Sequence, residues 1–452
     1  MKNHKLFLVI FLFLGGTFLS GNSCQLKQNT SSSAAPTEIT REEVAIKTDA
    51  ILEKDISDRL KPFIDDNIVA ITVSDDVTNP DITISLDQEK ATNNNTIYTQ
   101  KLSISPNELK ENLSEDVYSI NINYLSTTDS SLSNQIKTYL QKSYETNPPQ
   151  ENKLTFAGDI LLSRWVAKIS NDHNDPLYCF SKTADITKNS NLTIANLEAP
   201  FAETGPYTNL GVVFRADPNL AQGLTYAGFD VLNLANNHFG DSGQSGMKFT
   251  FQTLNDRNIN YYGAGNNNTE SRTPLIKEIN GLKYAFLGYT DSAFTPVSYE
   301  ADNIYAGVNL MNLDNLKEDI DKAKQQADFV IVTMNSGIEY THNPNQTQID
   351  FAHAAIDDGA DMIFGLHPHV VQAIEYYHEK PIFYNVGNFI MDQLEKETQQ
   401  GYIIQLSTIY NRIASISLIP YHIYDYCQPQ IVDGDEATEI ITEIVNANLN
   451  LQ

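Results

Sequence analysis

Met362-Ile363-Phe364-Gly365-Leu366-His367-Pro368-His369 is an apolar run that stops abruptly in two imidazoles. Other parts of the chain repeat the pattern. Leu154-Ala157 runs into Gly158-Asp159, Leu192-Ala195 into Asn196-Leu197-Glu198, and Val231-Ala235 into Asn236-Asn237-His238 with Asp241 close behind. Phe329-Met334 ends in Asn335-Ser336-Gly337-Ile338-Glu339, and Ile382-Tyr384 ends in Asn385-Val386-Gly387-Asn388. Short, nearly continuous apolar runs are the signature of central strands buried on both faces. Leu313, Leu316, Ile320, Ala323 and Ala327 form a helical stripe between two of them. Strands alternating with helices predict α/β layers from about Lys153 to the last residue. Tyr402 to Pro420 reads as two antiparallel strands, and Ala437 to Val445 as a closing helix.

In such sheets ligands collect beyond the carboxyl ends of the strands. Six strand ends here each deliver Asp, Glu, Asn or His. Taken singly, each has a plain structural explanation: Gly-Asp makes a turn or a helix cap, and Asn-Asn-His makes a capped loop. The series carries the argument, because independent turns rarely choose metal-ligand side chains every time. Imidazole mixed with carboxylate and amide oxygens, with no thiolate among them, suits Mn, Zn or Fe better than Ca or Mg. The alternation His367-Pro368-His369 predicts both imidazoles on one side of an extended segment.

Composition narrows the partners. Lys and Arg total 30 against 57 Asp and Glu, a formal charge of −27. That excess repels phosphate backbones and anionic lipid heads, which argues against a nucleic-acid binder. Hydrophobic residues at 41% are ample for a packed core.

At the amino terminus Leu6 to Leu19 follows Lys2, His4 and Lys5 and precedes Ser20-Gly21-Asn22-Ser23-Cys24. A basic start, a short apolar stretch and small residues predict a secretory signal over residues 1–24. Cys24 stands where a bacterial lipoprotein carries its acylated cysteine, although Gly21 departs from the usual branched aliphatic residue. The expectation is export, either as a lipoprotein on the outer face of the cytoplasmic membrane or, after simple cleavage, as a secreted protein. Residues 25–40 have the polar composition of a flexible tether. Residues 41–146 read as a small α+β module. Val44, Thr48, Ile51, Leu52, Ile56, Leu60 and Phe63 recur at helical spacing, strands are expected at Ile68-Val73, Ile82-Leu86, Thr96-Ile104 and Val117-Tyr124, and Ser130-Tyr144 reads as a helix. Asn147-Pro148-Pro149 begins a linker. Cys179 and Cys427 either pair in an oxidising compartment or remain buried thiols.

The succession Gly158-Asp159-Ile160-Leu161-Leu162-Ser163-Arg164, Asn196-Leu197-Glu198, Asn236-Asn237-His238, Gly365-Leu366-His367-Pro368-His369-Val370-Val371-Gln372 and Gly387-Asn388-Phe389 resembles the bacterial capsule-synthesis (CapA-type) proteins. These are linked to poly-γ-glutamate capsules and related to calcineurin-like metallophosphoesterases. The resemblance covers about Lys153 to Pro420 and implies a four-layer α/β/β/α metallophosphatase-like sandwich. It also implies a divalent metal held by Asp159, Glu198, Asn237, Asn335, His367 and His369, with Asn196, Glu339 and Asn388 in support. His238 would act as general acid, oriented by Asp241. Arg164 would neutralise substrate charge or stand in for a second cation, unless it pairs structurally with Glu198 or Asp159. Three positions depart from the phosphoesterase pattern. Leu161 replaces a His, as in the capsule branch; Asn335-Ser336-Gly337 replaces His-Trp-Gly; and Leu366 replaces a polar residue. They leave one full metal site expected and weaken the case for two. The implied role is capsule or poly-γ-glutamate production at the envelope, as a metal-dependent hydrolase of a phosphorylated substrate or as a non-catalytic accessory. The accessory would guide an anionic polymer beside the capsule-synthesis machinery.

Overall fold

The computed structural model describes residues 42–48, 53–66, 69–74, 82–85, 121–123, 131–147, 150–204 and 212–451. The signal segment with Cys24, the tether and the strand expected at Thr96–Ile104 lie outside the described residues. Two compact units meet in the sequence between Pro148 and Pro149. Among the described residues no helix is long and apolar enough to cross a membrane.

The first unit has a four-stranded sheet in the order Val69–Ser74, Glu42–Thr48, Ile82–Ser85, Asn121–Asn123. Its two helices are Glu53–Asp66 and Ser131–Thr146. Ile56, Leu60 and Phe63 of one and Ile136 and Leu140 of the other are buried, and the Phe63 and Tyr139 rings lie 5.2 Å apart. The helical spacing read from Val44 onward holds only from Glu53. Glu42–Thr48 is a strand paired in parallel with Val69–Ser74. In Glu43-Val44-Ala45-Ile46-Lys47 the apolar Val44 and Ile46 also fit a period of two, and pairing partners far along the chain decided between the readings.

The second unit is built on two sheets. The larger runs Gln428–Ile431, Arg412–Tyr424, Gln400–Ile409, Glu151–Ile160, Leu192–Leu197, Val231–Asn233, Asn260–Tyr262, with Asn388–Ile390 pairing the end of Glu151–Ile160. The smaller runs Leu275–Ile279, Leu282–Thr290, Phe329–Asn335, Met362–Leu366, Lys380–Phe383, Ile374–Tyr377. The central strands of each are parallel, and Leu192–Leu197, Phe329–Asn335 and Met362–Leu366 are buried along their whole length, as their mostly apolar composition predicts.

Three cores stack between these layers. Phe156, Ile194, Phe286, Ile331, Phe364 and Ile404 fill the space between the sheets, where the Phe156 and Phe364 rings approach to 5.2 Å. Phe201, Leu224, Phe239, Phe251 and their neighbours bind the helices Ala221–Tyr226 and Gly243–Asn255 to the outer face of the larger sheet. Leu316, Ile320, Phe351 and Ala355 bind Leu313–Lys324 and Gln346–Asp358 to the smaller one. This is the expected four-layer α/β/β/α sandwich. Leu313, read as part of the buried stripe, is the first residue of its helix and is exposed.

Cys179 and Cys427 form a disulfide with Cα atoms 5.2 Å apart, closing a sequence separation of 248 residues. Cross-links over long loops stabilise by about 2–5 kcal/mol through the unfolded chain. Cys427→Ser is therefore expected to lower the melting temperature by roughly 5 °C or more. A thermal melt should show the same drop for the wild type under reduction, and coincident curves would show that the bridge contributes nothing.

Candidate functional site

Asp159 closes the strand Glu151–Ile160 and is fully buried. The segment carrying Asn388 comes against it because neither chain has a side chain in the way. A Cβ on Gly158 would sit 1.9 Å from the Gly387 carbonyl oxygen, and Gly387 itself has φ +84°. Asn388 is thereby set in register with Asp159.

Asn196, at the end of its strand, donates to Asp159 Oδ1 at 2.8 Å and to Glu198 Oε2. Its own Oδ1 accepts from Asn233 at 2.9 Å and from Asn236 at 3.1 Å. This amide lattice holds two buried carboxylates side by side, and each keeps one oxygen without a hydrogen-bond partner, Asp159 Oδ2 and Glu198 Oε1. Burial pushes the Glu198 carboxyl well above the usual range, and the charges of Asp159, Asp241 and Glu339 add to the effect. Asp159 is raised by burial, against the opposing pull of His369 and the Asn196 hydrogen bond. Glu339 is exposed.

From the smaller sheet, Met362–Leu366 delivers His367 and His369. The extended segment expected there is absent: His367 has φ +99° and His369 φ +64°. The backbone turns as soon as strand pairing stops at Leu366, and sustains conformations that non-glycine residues seldom adopt. The rings still lie 6.1 Å apart. His369 Nδ1 meets Asn388 Oδ1 at 2.8 Å and lies 3.7 Å from Asp159 Oδ2. With Nδ1 protonated toward Asn388, Nε2 carries the free lone pair. Neither nitrogen of His367 has a partner, and burial pushes this imidazole down to about 3, so it is neutral at physiological pH.

His238 lies within electrostatic reach of both His367 and His369. Its Nδ1 contacts Asp241 Oδ2 at 3.0 Å, the orienting contact expected from the sequence. Asp241 is held in turn by the Phe214 N–H at 2.5 Å and the Tyr299 hydroxyl at 3.1 Å. Asn237 Oδ1 is buried without a partner. Arg164 pairs with neither Glu198 nor Asp159. Its guanidinium meets Asp392, and Cζ lies 4.7 Å from the centre of the Phe214 ring. Asp392, buried itself, takes the guanidinium and the Trp165 N–H together.

Asn335 ends the strand Phe329–Asn335. Its Oδ1 accepts from Thr290 Oγ1 at 3.1 Å, while its buried Nδ2 has no partner. Turning the amide over would let Nδ2 donate to the same hydroxyl and leave Oδ1 unpartnered. Asn335→His is expected to raise zinc retention severalfold after dialysis, because imidazole is the stronger donor. Unchanged retention by elemental analysis would remove this position from the ligand set.

The unpartnered atoms of Asp159, Glu198, Asn237 and His367, with the free lone pair of His369, form a donor set of the type a divalent transition metal takes, so the residues fit such an ion. Among the described residues no three His, Cys, Asp or Glu side chains stand close enough to hold a metal by themselves. A bound ion would also need the amide oxygen of Asn237.

Sequence reading missed Phe214, Tyr299, Asp392 and the buried pair Asp291–Ser336, joined at 2.8 Å. The rule of strand ends, extended to Leu282–Thr290, would have found Asp291. Nothing in the sequence marks Phe214, Tyr299 or Asp392.

The two sheets of the α/β/β/α sandwich thus bring carboxylates, amides and imidazoles to a common end. The model of the bacterial capsule synthesis protein PGA_cap family matches residues 153–393, and the chain belongs to that family. It is 33% identical over 301 residues to the capsule biosynthesis protein CapA of Bacillus anthracis, covering 64% of this chain and 72% of that protein. The PGA biosynthesis protein CapA of Bacillus subtilis (strain 168) is 31% identical over 274 residues, covering 60% and 71%. Among solved structures, the calcineurin-like phosphoesterase YfkN of Bacillus subtilis aligns with a TM-score of 0.38 and 13% identity, over 67% of this chain and 99% of that one.

Proposed function

We propose that this capsule-synthesis protein is exported, held at the envelope by a lipid on Cys24, and acts there as a metal-dependent hydrolase of a phosphorylated substrate in capsule or poly-γ-glutamate production. The observation that carries the catalytic reading is the set of buried, unpartnered donor atoms on Asp159, Glu198, Asn237 and His367. Buried carboxylates with no cation beside them are costly, and their raised pKa values express that cost. The Cys179–Cys427 disulfide supports export.

Asp159, Glu198, Asn237, His367 and His369 would hold the metal, with Asn335 as the weaker donor. When bound, it lowers the pKa of a coordinated water and polarises a phosphoryl oxygen. The chain supplies the rest. His238, oriented by Asp241, can deliver a proton to the leaving oxygen. Arg164 can donate to a non-bridging oxygen. Turnover of bis(p-nitrophenyl) phosphate should disappear on chelation and return with Mn or Zn; absence of turnover in the metal-loaded protein rejects the hydrolase.

Asn335 in place of an imidazole favours a second reading, a non-catalytic accessory that guides an anionic polymer beside the capsule-synthesis machinery. Bound cations would then mediate the contact, since a chain of charge −27 repels a polyanion.

A further inference from the structure

The strand Asn388–Ile390 leads into a segment that touches the site in three places. Asn388 orients His369. Gln393 Oε1 accepts from Asn388 Nδ2 at 3.0 Å, and its own amide reaches the Tyr340 hydroxyl at 3.4 Å. Asp392, buried between them, uses both carboxylate oxygens on two consecutive residues 227 and 228 positions away. Oδ1 takes the Arg164 guanidinium, and Oδ2 accepts from the Trp165 N–H at 2.9 Å.

The helix Arg164–Asp172 begins without a side-chain cap from Ser163, and Arg164 has φ +50°. Asp392 supplies the carboxylate this helix start lacks and anchors the guanidinium at the same time. Phe214 packs on the guanidinium and also stacks on the His238 ring at 3.9 Å. The group is thus fixed in plane and place, with its side chain 11% exposed. Its Nε is buried and has no hydrogen-bond partner, and His369 and Tyr340 lie within its electrostatic reach. A buried guanidinium with an unused N–H beside the imidazoles is short of one acceptor, and an anionic oxygen of a ligand would complete it.

We propose that Asp392 is a positioning residue that holds Arg164 as a fixed donor to a phosphoryl oxyanion. The segment Asn388–Gln393 then aligns the metal-side imidazole and the anion-side guanidinium together. The choice of phosphoryl as the ligand rests on the function proposed above. Charge and position predict opposite signs here. Neutralising Asp392 leaves Arg164 a bare cation, which by charge alone tightens an anion. If position governs, the guanidinium loses its anchor and the anion binds more weakly.

Trp165 is the only tryptophan of the chain, so its fluorescence reports on this corner. The full chain, loaded with zinc, is titrated with inorganic phosphate. Asp392→Asn should weaken phosphate about tenfold, the size of one charge-assisted hydrogen bond, with zinc content unchanged. Asp392→Glu should fall between it and the wild type, and it serves as the working variant if Asp392→Asn does not fold. Arg164→Gln should weaken phosphate at least as much, and adding Asp392→Asn to it should change nothing more, because Asp392 acts only through Arg164. Equal or tighter phosphate binding in Asp392→Asn overturns the proposal. So does a parallel loss of zinc, or a wild type that binds no phosphate. A wild type without zinc defeats the hydrolase reading instead, and the same ranking of variants in metal-free protein still decides the role of Asp392.

Discussion

His369→Ala is expected to weaken zinc binding by the purified protein by well beyond 100-fold. His369 is buried, and burial holds its pKa below the ordinary value despite the opposing pull of Asp159. It is therefore neutral, the form that coordinates. Its Nδ1 is engaged by Asn388 at 2.8 Å, which directs Nε2 as the donor. Removing the imidazole deletes a ligand, whereas Asn388→Ala deletes only its orienting partner and should cost the 10–100-fold typical of such partners. Elemental analysis after gentle purification, followed by competition with a chelator, ranks the three proteins. Equal metal content in the wild type and His369→Ala would take this imidazole out of the coordination shell.

His238→Ala should reduce phosphodiester turnover by 10²–10⁴-fold while leaving metal content intact. The ring contacts Asp241 at 3.0 Å and lies against Phe214, so tautomer and plane are set before any substrate arrives. Asp241→Asn keeps the shape and removes the carboxylate that orients the ring, and a smaller loss is expected. Turnover equal to wild type in His238→Ala places the proton donor elsewhere. A fall in metal content alongside the rate would instead make His238 a ligand.

The strand ends were legible because a central strand buried on both faces must be apolar, so the first polar residue after it marks its carboxyl end. Asp159, Glu198, His238, Asn335 and His367 all stand at such breaks. Asn196 was legible for the same reason, although its bonds to two carboxylates were not. The conformation of His367-Pro368-His369 was misjudged because the sequence shows alternation but not where strand pairing ends. The partner of Arg164 lies 228 residues away, and no local pattern points across that distance. Glu42–Thr48 was missed for a related reason, since its strand character depends on Val69–Ser74 and Ile82–Ser85 beside it.

By itself the amino-acid sequence determined the layer class, the central strands of the second unit, the ligand types at their ends and the net acidity, all of which follow from local periodicity and composition; the edge strands Asn260–Tyr262, Leu275–Ile279, Ile374–Tyr377 and Gln428–Ile431 were not legible in it. Only the tertiary structure decided that Cys179 meets Cys427, that Asn196 locks Asp159 to Glu198, and that Asp392 rather than either acid takes Arg164. Each of those is a contact between segments far apart in the chain, chosen by how two twisted sheets close on one another and by which buried polar atoms still lack a partner when they do.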